Sequence, residues 1–185
     1  IVVALLGIAS VVMTARIARR LTRSNTVGTV AGLLLALDGV HIAISRTALL
    51  DMTLSFFVLA AFGVLIIDRD HRGTPGYRWT RPTLTVLLGL AIATKWSGVY
   101  FALVFGVLML AWDLRRRHDH DGQTAIPTWL RRDVATAAFM PVGALVVYTA
   151  TWVGWFRNTG AWGRDWDPGS ASMRPLRQLL HYHEQ

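Results

Sequence analysis

Four ionisable residues lie in the short segment ALDGVHIAISRTALLD, between two long apolar runs. They are Asp38, His41, Arg46 and Asp51. Charged groups at membrane depth are costly and persist mainly where they pair, line a wet cavity or take part in chemistry. Asp38 and His41 are three residues apart, which predicts that they share one helix face. The segment favours either a charged pocket or an ion-pair network in which Arg46 pairs with Asp51 or Asp38.

Lys95, in ATKWSG, is the single lysine among 19 basic residues. A compact ammonium can hold a phosphate oxygen as a point charge, and Trp96 beside it offers a flat apolar face at the lipid boundary. Ser97 and Gly98 are expected to open a helix whose N-terminus suits an anion. With Arg46, Lys95 predicts a cationic mouth for an anionic lipid headgroup such as a polyprenyl phosphate. The alternative is a lysine at a helix end that only reaches the membrane surface.

The remaining titratable side chains give little sign of a metal site. His41 is expected to be a hydrogen-bonded helix-end residue, and no His, Asp or Glu spacing fits a metal-binding helix. His181 and His183 are two residues apart and diverge on a helix. The chain has no cysteine, which excludes disulfides, zinc–thiolate sites and thiol nucleophiles within it. No metal is therefore predicted.

The segments that must position these residues are long apolar runs. The chain of 185 residues is 53% hydrophobic, and several runs approach the ~20 residues that a helix needs to cross a bilayer. This predicts an all-α, polytopic membrane protein with about six spans. The predicted spans are 2–18, 27–43, 49–67, 84–94, 98–112 and 134–152. Since the chain begins inside an apolar run and without Met, we interpret it as an internal part of a longer protein.

Arginine clusters in alternate loops and predicts the orientation of the spans. The formal net charge is +8, and the stretches ARIARRLTR, DRDHRGTPGYRWTR and LRRRHDHDGQTAIPTWLRR hold most of the basic residues. Cytoplasmic loops carry the excess of Lys and Arg. The Arg-rich loops are therefore predicted to be cytoplasmic. Arg46, Lys95 and the residues after Trp152 are then predicted to be extracytoplasmic.

Residues 153–185 are expected to begin an extracytoplasmic loop rich in tryptophan. Such rings suit a membrane interface, where an amphipathic side chain is half wet. A short amphipathic helix is predicted beyond them, with three leucines on one face. The aromatic residues are Trp152, Trp155, Phe156, Trp162 and Trp166, and the leucines are Leu176, Leu179 and Leu180.

Several of these stretches resemble one known family. LALDGVHIAISRTALLD and FFVLAAFGVLIIDRD are similar to the protein O-mannosyltransferases in their actinobacterial form, and GLAIATKWSGVYF is similar to that family's lysine-containing turn. YTATWVGWFRNTGAWGRDW and LLHYHEQ are similar to its next external segment. The resemblance extends over essentially the whole chain, in order and with the same topology.

The resemblance implies a C-type glycosyltransferase fold in the plasma membrane. The family takes mannose from polyprenyl-phosphate mannose, inverts the anomeric centre, and transfers the sugar to Ser or Thr hydroxyls of proteins being exported, which suggests contact with export machinery. It depends on an acidic general base in a first external loop that is expected upstream of Ile1. Neither Asp38 nor Asp51 is therefore given that role, and no catalytic residue is assigned here.

The resemblance also assigns expected roles to individual residues. Lys95 falls on the lysine near the lipid phosphate, and Arg46 and Asp51 fall on an SR…LLD pair at the outer ends of two spans. Lys95 and Arg46 are thus expected to bind the donor phosphate. The residues expected to support them are Asp51, Asp38, His41, Trp96 and His183, the last within the family's YH motif. A lipid-linked sugar donor is implied, whereas no cofactor is firmly implied and no nucleic acid is expected.

Other functions remain open at this point. A related C-type transferase with a lipid or glycan acceptor would share these features. A transporter would hold its substrate at broken helices near the midplane, whereas the charges here cluster towards one end. A structural assembly subunit would use the same charges only as ion pairs.

Overall fold

The computed structural model describes residues 1–47, 49–71, 79–120, 140–158, 160–162, 177–179 and 181–182. Most of these residues are helical, and none of them forms a strand. The helices are α1 (Val2–Thr22), α2 (Asn25–Leu37), α3 (Gly39–Arg46), α4 (Leu50–His71), α5 (Thr80–Thr94), α6 (Gly98–His120), α7 (Met140–Thr151) and α8 (Val153–Arg157). Two compact units divide the chain, Ile1–Tyr148 and Thr149–Gln185.

The first unit has the composition of a membrane protein. Helices α1 and α4 are each long and apolar enough to cross a bilayer, and α2 with α3 passes the same test as one bent span. Three shorter apolar helices are α5, the Gly98–Asp113 part of α6, and α7. The all-α membrane fold is thereby confirmed. The count of six spans stays a prediction, and residues 134–139 of the last one lie outside the described part of the chain.

The second predicted span is broken at Asp38. This residue has extended backbone angles (φ −68°, ψ 119°), ends α2 and caps the start of α3, which is bent by 58° from α2. Its carboxylate Oδ2 accepts a hydrogen bond from the backbone N–H of His41 at 2.8 Å. An aspartate that bonds a nearby N–H favours a cap over a helix interior. The prediction that Asp38 and His41 share a helix face is therefore wrong.

The core of the first unit lies between α4, α5, α6 and α7. Each of these helices contributes two buried apolar residues to one cluster. They are Ala61, Leu65, Leu84, Leu88, Phe105, Met109, Met140 and Ala144. This cluster holds the four helices together, so the end of α5 at Lys95 is held against the start of α4.

Helices α1 and α2 pack through glycines. A Cβ at Gly32 would lie 2.9 Å from the Cβ of Ala15, and one at Gly28 would lie 2.8 Å from the Ala15 carbonyl oxygen. Small residues four apart let two helix backbones approach closely within a membrane. The Gly28-to-Gly32 spacing thus holds α2 against α1 and positions α3 beyond it.

Candidate functional site

Lys95 and Asp51 form an ion pair at one end of the first unit. The ammonium Nζ of Lys95 donates to Oδ1 of Asp51 at 2.7 Å, and both side chains are about half exposed, at 51% and 50%. Asp51 lies in the first turn of α4, where a negative charge is stabilised by the helix dipole. Lys95 ends α5. Because the pair joins the start of one helix to the end of another, the ammonium has a defined position at the surface.

The turn after Lys95 leads directly into α6. The backbone N–H groups of Gly98, Val99 and Tyr100 donate to the carbonyl oxygens three residues earlier, at 2.8, 3.0 and 3.2 Å. These groups were expected to be free for an anion, and that expectation is wrong because they are already bonded. Gly98 is required here, since a Cβ would lie 2.7 Å from the backbone of Ala91 and Ile92.

Arg46 lies at the same end of the first unit, at the end of α3. Its guanidinium is exposed and makes no ion pair with any described residue. The expected pairings of Arg46 with Asp51 or Asp38 are not formed, since Asp51 bonds Lys95 and Asp38 caps α3. Arg46 is therefore an available cation four residues before α4 begins.

His41 connects α3 to α1 and lines a groove between these two helices. Its ring Nε2 lies 3.2 Å from the carbonyl oxygen of Gly7, a hydrogen-bonding distance. Ser45 donates its hydroxyl to the carbonyl oxygen of His41 at 2.6 Å. A groove of about 480 Å³ runs between these helices, with Arg46 at its polar edge. Its apolar lining includes Ile8, Val11, Val12 and Ile42.

A second groove, beside Trp96, is almost wholly apolar. It has a volume of about 410 Å³ and lies between α5, α6 and α7. The Trp96 and Tyr148 rings meet edge to face at its end, with centroids 6.1 Å apart. The lining includes Leu88, Ile92, Leu103, Val107 and Leu145. An apolar groove next to Lys95 suits a molecule with a long hydrocarbon chain and an anionic head.

Comparison with known proteins decides the family. Residues 1–151 match the family model described as dolichyl-phosphate-mannose-protein mannosyltransferase. The chain belongs to this family. It is 42% identical to a polyprenol-phosphate-mannose–protein mannosyltransferase of Mycobacterium tuberculosis strain H37Rv, over 97% of this chain and 40% of that protein.

Two further relatives carry the same name. The protein of Mycolicibacterium smegmatis strain MKD8 is 41% identical over 97% of this chain and 40% of its own length. That of Corynebacterium glutamicum is 32% identical over 99% of this chain and 41% of its own length. The chain thus spans about two-fifths of the length of these relatives. No solved structure matches it significantly.

The mannosyltransferase family match includes every candidate site residue except His183. Lys95 and Asp51 are paired at one end of the first unit, where α3 also ends at Arg46, and Trp96 is exposed beside Lys95. His183 lies outside the described residues. Among the described residues no group of three metal-ligating side chains could hold an ion.

The opposite end of the first unit holds a buried polar network that sequence reasoning missed. Arg81 contacts Asp113 at 3.2 Å and Asp68 at 3.7 Å, and both carboxylates are almost fully buried. The hydroxyl of Thr80 donates to Asp68 at 2.5 Å. The signal was present, because Asp68 and Asp113 each follow a long apolar run. The network ties α4, α5 and α6 together at the end of the first unit that lies opposite Lys95.

The second unit gathers its aromatic rings instead of spreading them singly. The Tyr182 ring lies 5.0 Å from Trp152 and 5.2 Å from Trp162, in edge-to-face contacts. Trp155 donates its indole N–H to the carbonyl oxygen of Trp162 at 3.0 Å. Of the predicted amphipathic face, Leu179 is buried, and Leu176, Leu180 and Trp166 lie outside the described residues. The location of these rings at a membrane interface stays a prediction.

Proposed function

We propose that this chain forms the donor-binding part of a protein O-mannosyltransferase. The enzyme transfers mannose from polyprenyl-phosphate mannose to Ser or Thr hydroxyls of exported proteins. The observation that carries the proposal is the half-exposed ammonium of Lys95, fixed by Asp51 beside an apolar groove. The family membership and the names of the relatives support this donor and this acceptor.

Lys95 would bind the phosphate that leaves. Its ammonium has three N–H donors, of which Asp51 uses one, so the others can reach phosphate oxygens. During transfer the acceptor hydroxyl oxygen bonds to the anomeric carbon, and the bond from that carbon to the phosphate oxygen breaks. The electron pair leaves with the phosphate, which gains a negative charge. A fixed cation therefore stabilises the transition state more than the bound donor.

Asp51 would act as a positioning residue for Lys95. A lysine side chain has four flexible carbon bonds, and ordering it costs conformational entropy. The 2.7 Å contact with Asp51 holds the ammonium before the donor arrives. The proton of the acceptor hydroxyl would go to an acidic base in another part of the protein, which agrees with assigning no catalytic residue among the charges described above.

The hydrocarbon chain of the donor would lie in the groove between α5, α6 and α7. The end of this groove is formed by Trp96, the residue that follows Lys95. A polyprenyl chain placed there would leave its phosphate next to the ammonium. Arg46 would supply a second positive charge at the same end, from the groove between α1 and α3.

The orientation of the protein in the membrane is part of the proposal. The end that holds Lys95 and Arg46 would face outward, and the arginine-rich loops would face the cytoplasm, because basic loops remain on the cytoplasmic side. Acceptor proteins would then meet the enzyme as they leave the cell. Association with export machinery is consistent with this placement.

Substitution of Lys95 tests the proposal. In the intact protein, Lys95→Ala should lower kcat for mannosyl transfer by about 10²-fold or more, as expected when an electrostatic partner of the transition state is removed. Lys95→Arg should retain part of the activity, because its charge can still reach the phosphate. The measurement is transfer from polyprenyl-phosphate mannose to an acceptor peptide.

The control for Lys95 is Arg157→Ala, which removes a cation at the end of another helix, α8. Unlike Lys95, Arg157 makes no ion pair with a described residue. The control variant should keep near-native transfer. If the folded Lys95→Ala variant transfers mannose at the native rate, Lys95 does not bind the donor phosphate, whatever the control shows.

A further inference from the structure

A third groove lies between α1 and α4, at the arginine-rich end of the bundle. It has a volume of about 740 Å³, larger than either groove near Lys95. Its apolar wall includes Met13, Ile17, Val64 and Ile67. Four arginines line its polar edge, namely Arg16, Arg19, Arg20 and Arg23. No step of the proposed transfer uses this groove, which lies at the far end from Lys95.

One of these arginines is fixed by protein partners. The guanidinium of Arg20 contacts Oδ2 of Asp70 at 2.7 Å and Nδ1 of His71 at 3.0 Å. Asp70 also contacts Arg69 at 2.9 Å, and the Arg69 guanidinium lies 5.5 Å from the centre of the Trp112 ring on α6. These contacts tie the end of α1 to the end of α4 and so define the mouth of the groove.

The other three arginines carry charge that no described carboxylate offsets. Arg16, Arg19 and Arg23 are exposed, and none forms an ion pair within the described ranges. The helix dipole of α1 is already complemented by the arginines in its last turn. Three guanidiniums without an ion pair in one groove are more positive charge than the dipole alone would stabilise. The groove is thus apolar along its length and strongly cationic at its mouth.

Arg23 also adopts a rare backbone conformation. It is the one non-glycine residue with positive φ in the described chain, at φ 55° and ψ 24°, and it ends α1. A left-handed conformation costs a non-glycine residue roughly 1–2 kcal/mol, and such positions usually hold Gly or Asn. The conformation turns the chain back at Ser24 while Arg23 still lines the groove.

We propose that this groove binds one anionic phospholipid, with its phosphate at the arginines and an acyl chain along the wall of α1 and α4. Charge complementarity selects the ligand, because guanidinium groups hold phosphate oxygens in bidentate pairs. Basic pockets between membrane helices are known to take anionic headgroups. A neutral phospholipid carries a cationic group that the arginines repel. The bound lipid would join α1 to α4 through its own contacts.

Photo-labelling of the intact protein tests this site. The protein is placed in phosphatidylcholine nanodiscs that contain phosphatidylglycerol with a diazirine in one acyl chain. We expect cross-links to map to residues 13–17 of α1 and 60–67 of α4. Arg16→Gln and Arg23→Gln should each reduce this labelling about fivefold, the effect of one basic residue near an anionic lipid.

The matched control is Arg115→Gln, which removes an exposed arginine at the same end of the bundle but outside the groove. It should leave labelling unchanged. Equal labelling by diazirine phosphatidylcholine, or an equal loss in Arg115→Gln, would mean general surface attraction and overturn the site. Absence of cross-links to α1 and α4 would also overturn the lipid site, because it would mean that another segment of the protein covers the groove. Mannosyl transfer is not the readout, so this result and that for Lys95 are independent.

Discussion

The pairing of Asp51 changes what each charged residue at the Lys95 end can do. From sequence, one alternative was an ion-pair network in which Arg46 pairs with Asp51 or Asp38. The structure pairs Asp51 with Lys95, 44 positions away in sequence, and leaves Arg46 without an ion pair among described residues. Local spacing could not reveal this, because the approach of α5 to α4 depends on packing of the whole core. The role of these residues in donor binding stays a prediction, whereas the Arg46 ion pairs considered from sequence are not formed.

Asp51→Asn separates positioning from stability. Exposed ion pairs contribute about 0–1 kcal/mol, so the variant should unfold within about 1 kcal/mol of the parent protein. We expect transfer to fall, because the ammonium loses a charged partner, but by less than in Lys95→Ala, since the amide oxygen can still accept a hydrogen bond. Thermal unfolding and transfer kinetics measure the two effects. A large loss of stability with unchanged kcat would assign Asp51 a purely structural role.

At the scale of elements, the long apolar runs predicted helices in the right places, and their interruptions were harder to locate. Asp38 followed by Gly39 is a turn signal within a run that is otherwise continuously apolar. The hydrophobic pattern outweighed it, so span two was predicted as unbroken. The cap became evident only when the carboxylate was seen to bond the His41 N–H. The glycine spacing of Gly28 and Gly32 likewise gained meaning only with α1 in place.

The Arg81 network should determine how firmly α4, α5 and α6 hold together. Arg81→Ala would leave Asp68 and Asp113 buried without their shared cation. Removal of one partner from a buried pair typically costs about 3–5 kcal/mol, and the partial exposure of Arg81 favours the lower end. Unfolding in detergent by heat or denaturant would measure the loss. Arg115→Ala, at the same end but exposed, should unfold like the parent, and equal losses would contradict the assignment.

At the scale of the whole molecule, two charged ends flank an apolar middle in the first unit. Arg46, Asp51 and Lys95 lie at one end, and the Arg20 and Arg81 networks lie at the other. The sequence predicted two differently charged ends because arginine is concentrated in every second predicted loop. It could not predict the grooves, since each one is formed by helices that are distant along the chain.

Membrane orientation can be tested with single cysteines, since the chain has none of its own. Thr47→Cys, next to Arg46, should react with a membrane-impermeant maleimide in intact cells. Thr22→Cys, at the end of α1, should react only after the cells are opened. Both positions are exposed, so accessibility in the folded protein is matched. Reaction in the reverse order would invert the proposed orientation and place Lys95 in the cytoplasm.

The lengths of α4 and α5 have a consequence for the surrounding lipid. From Asp51 to Asp68, α4 advances about 25 Å, and from Arg81 to Lys95, α5 advances about 21 Å. The hydrocarbon layer of a typical bilayer is about 30 Å thick. As predicted spans, both segments are shorter than this layer, and local thinning of the bilayer or snorkelling of Lys95 would accommodate the mismatch. Where the bilayer thins, headgroups would dip inward beside Trp96, and the proposed lipid-linked donor would have a shorter distance to rise to Lys95.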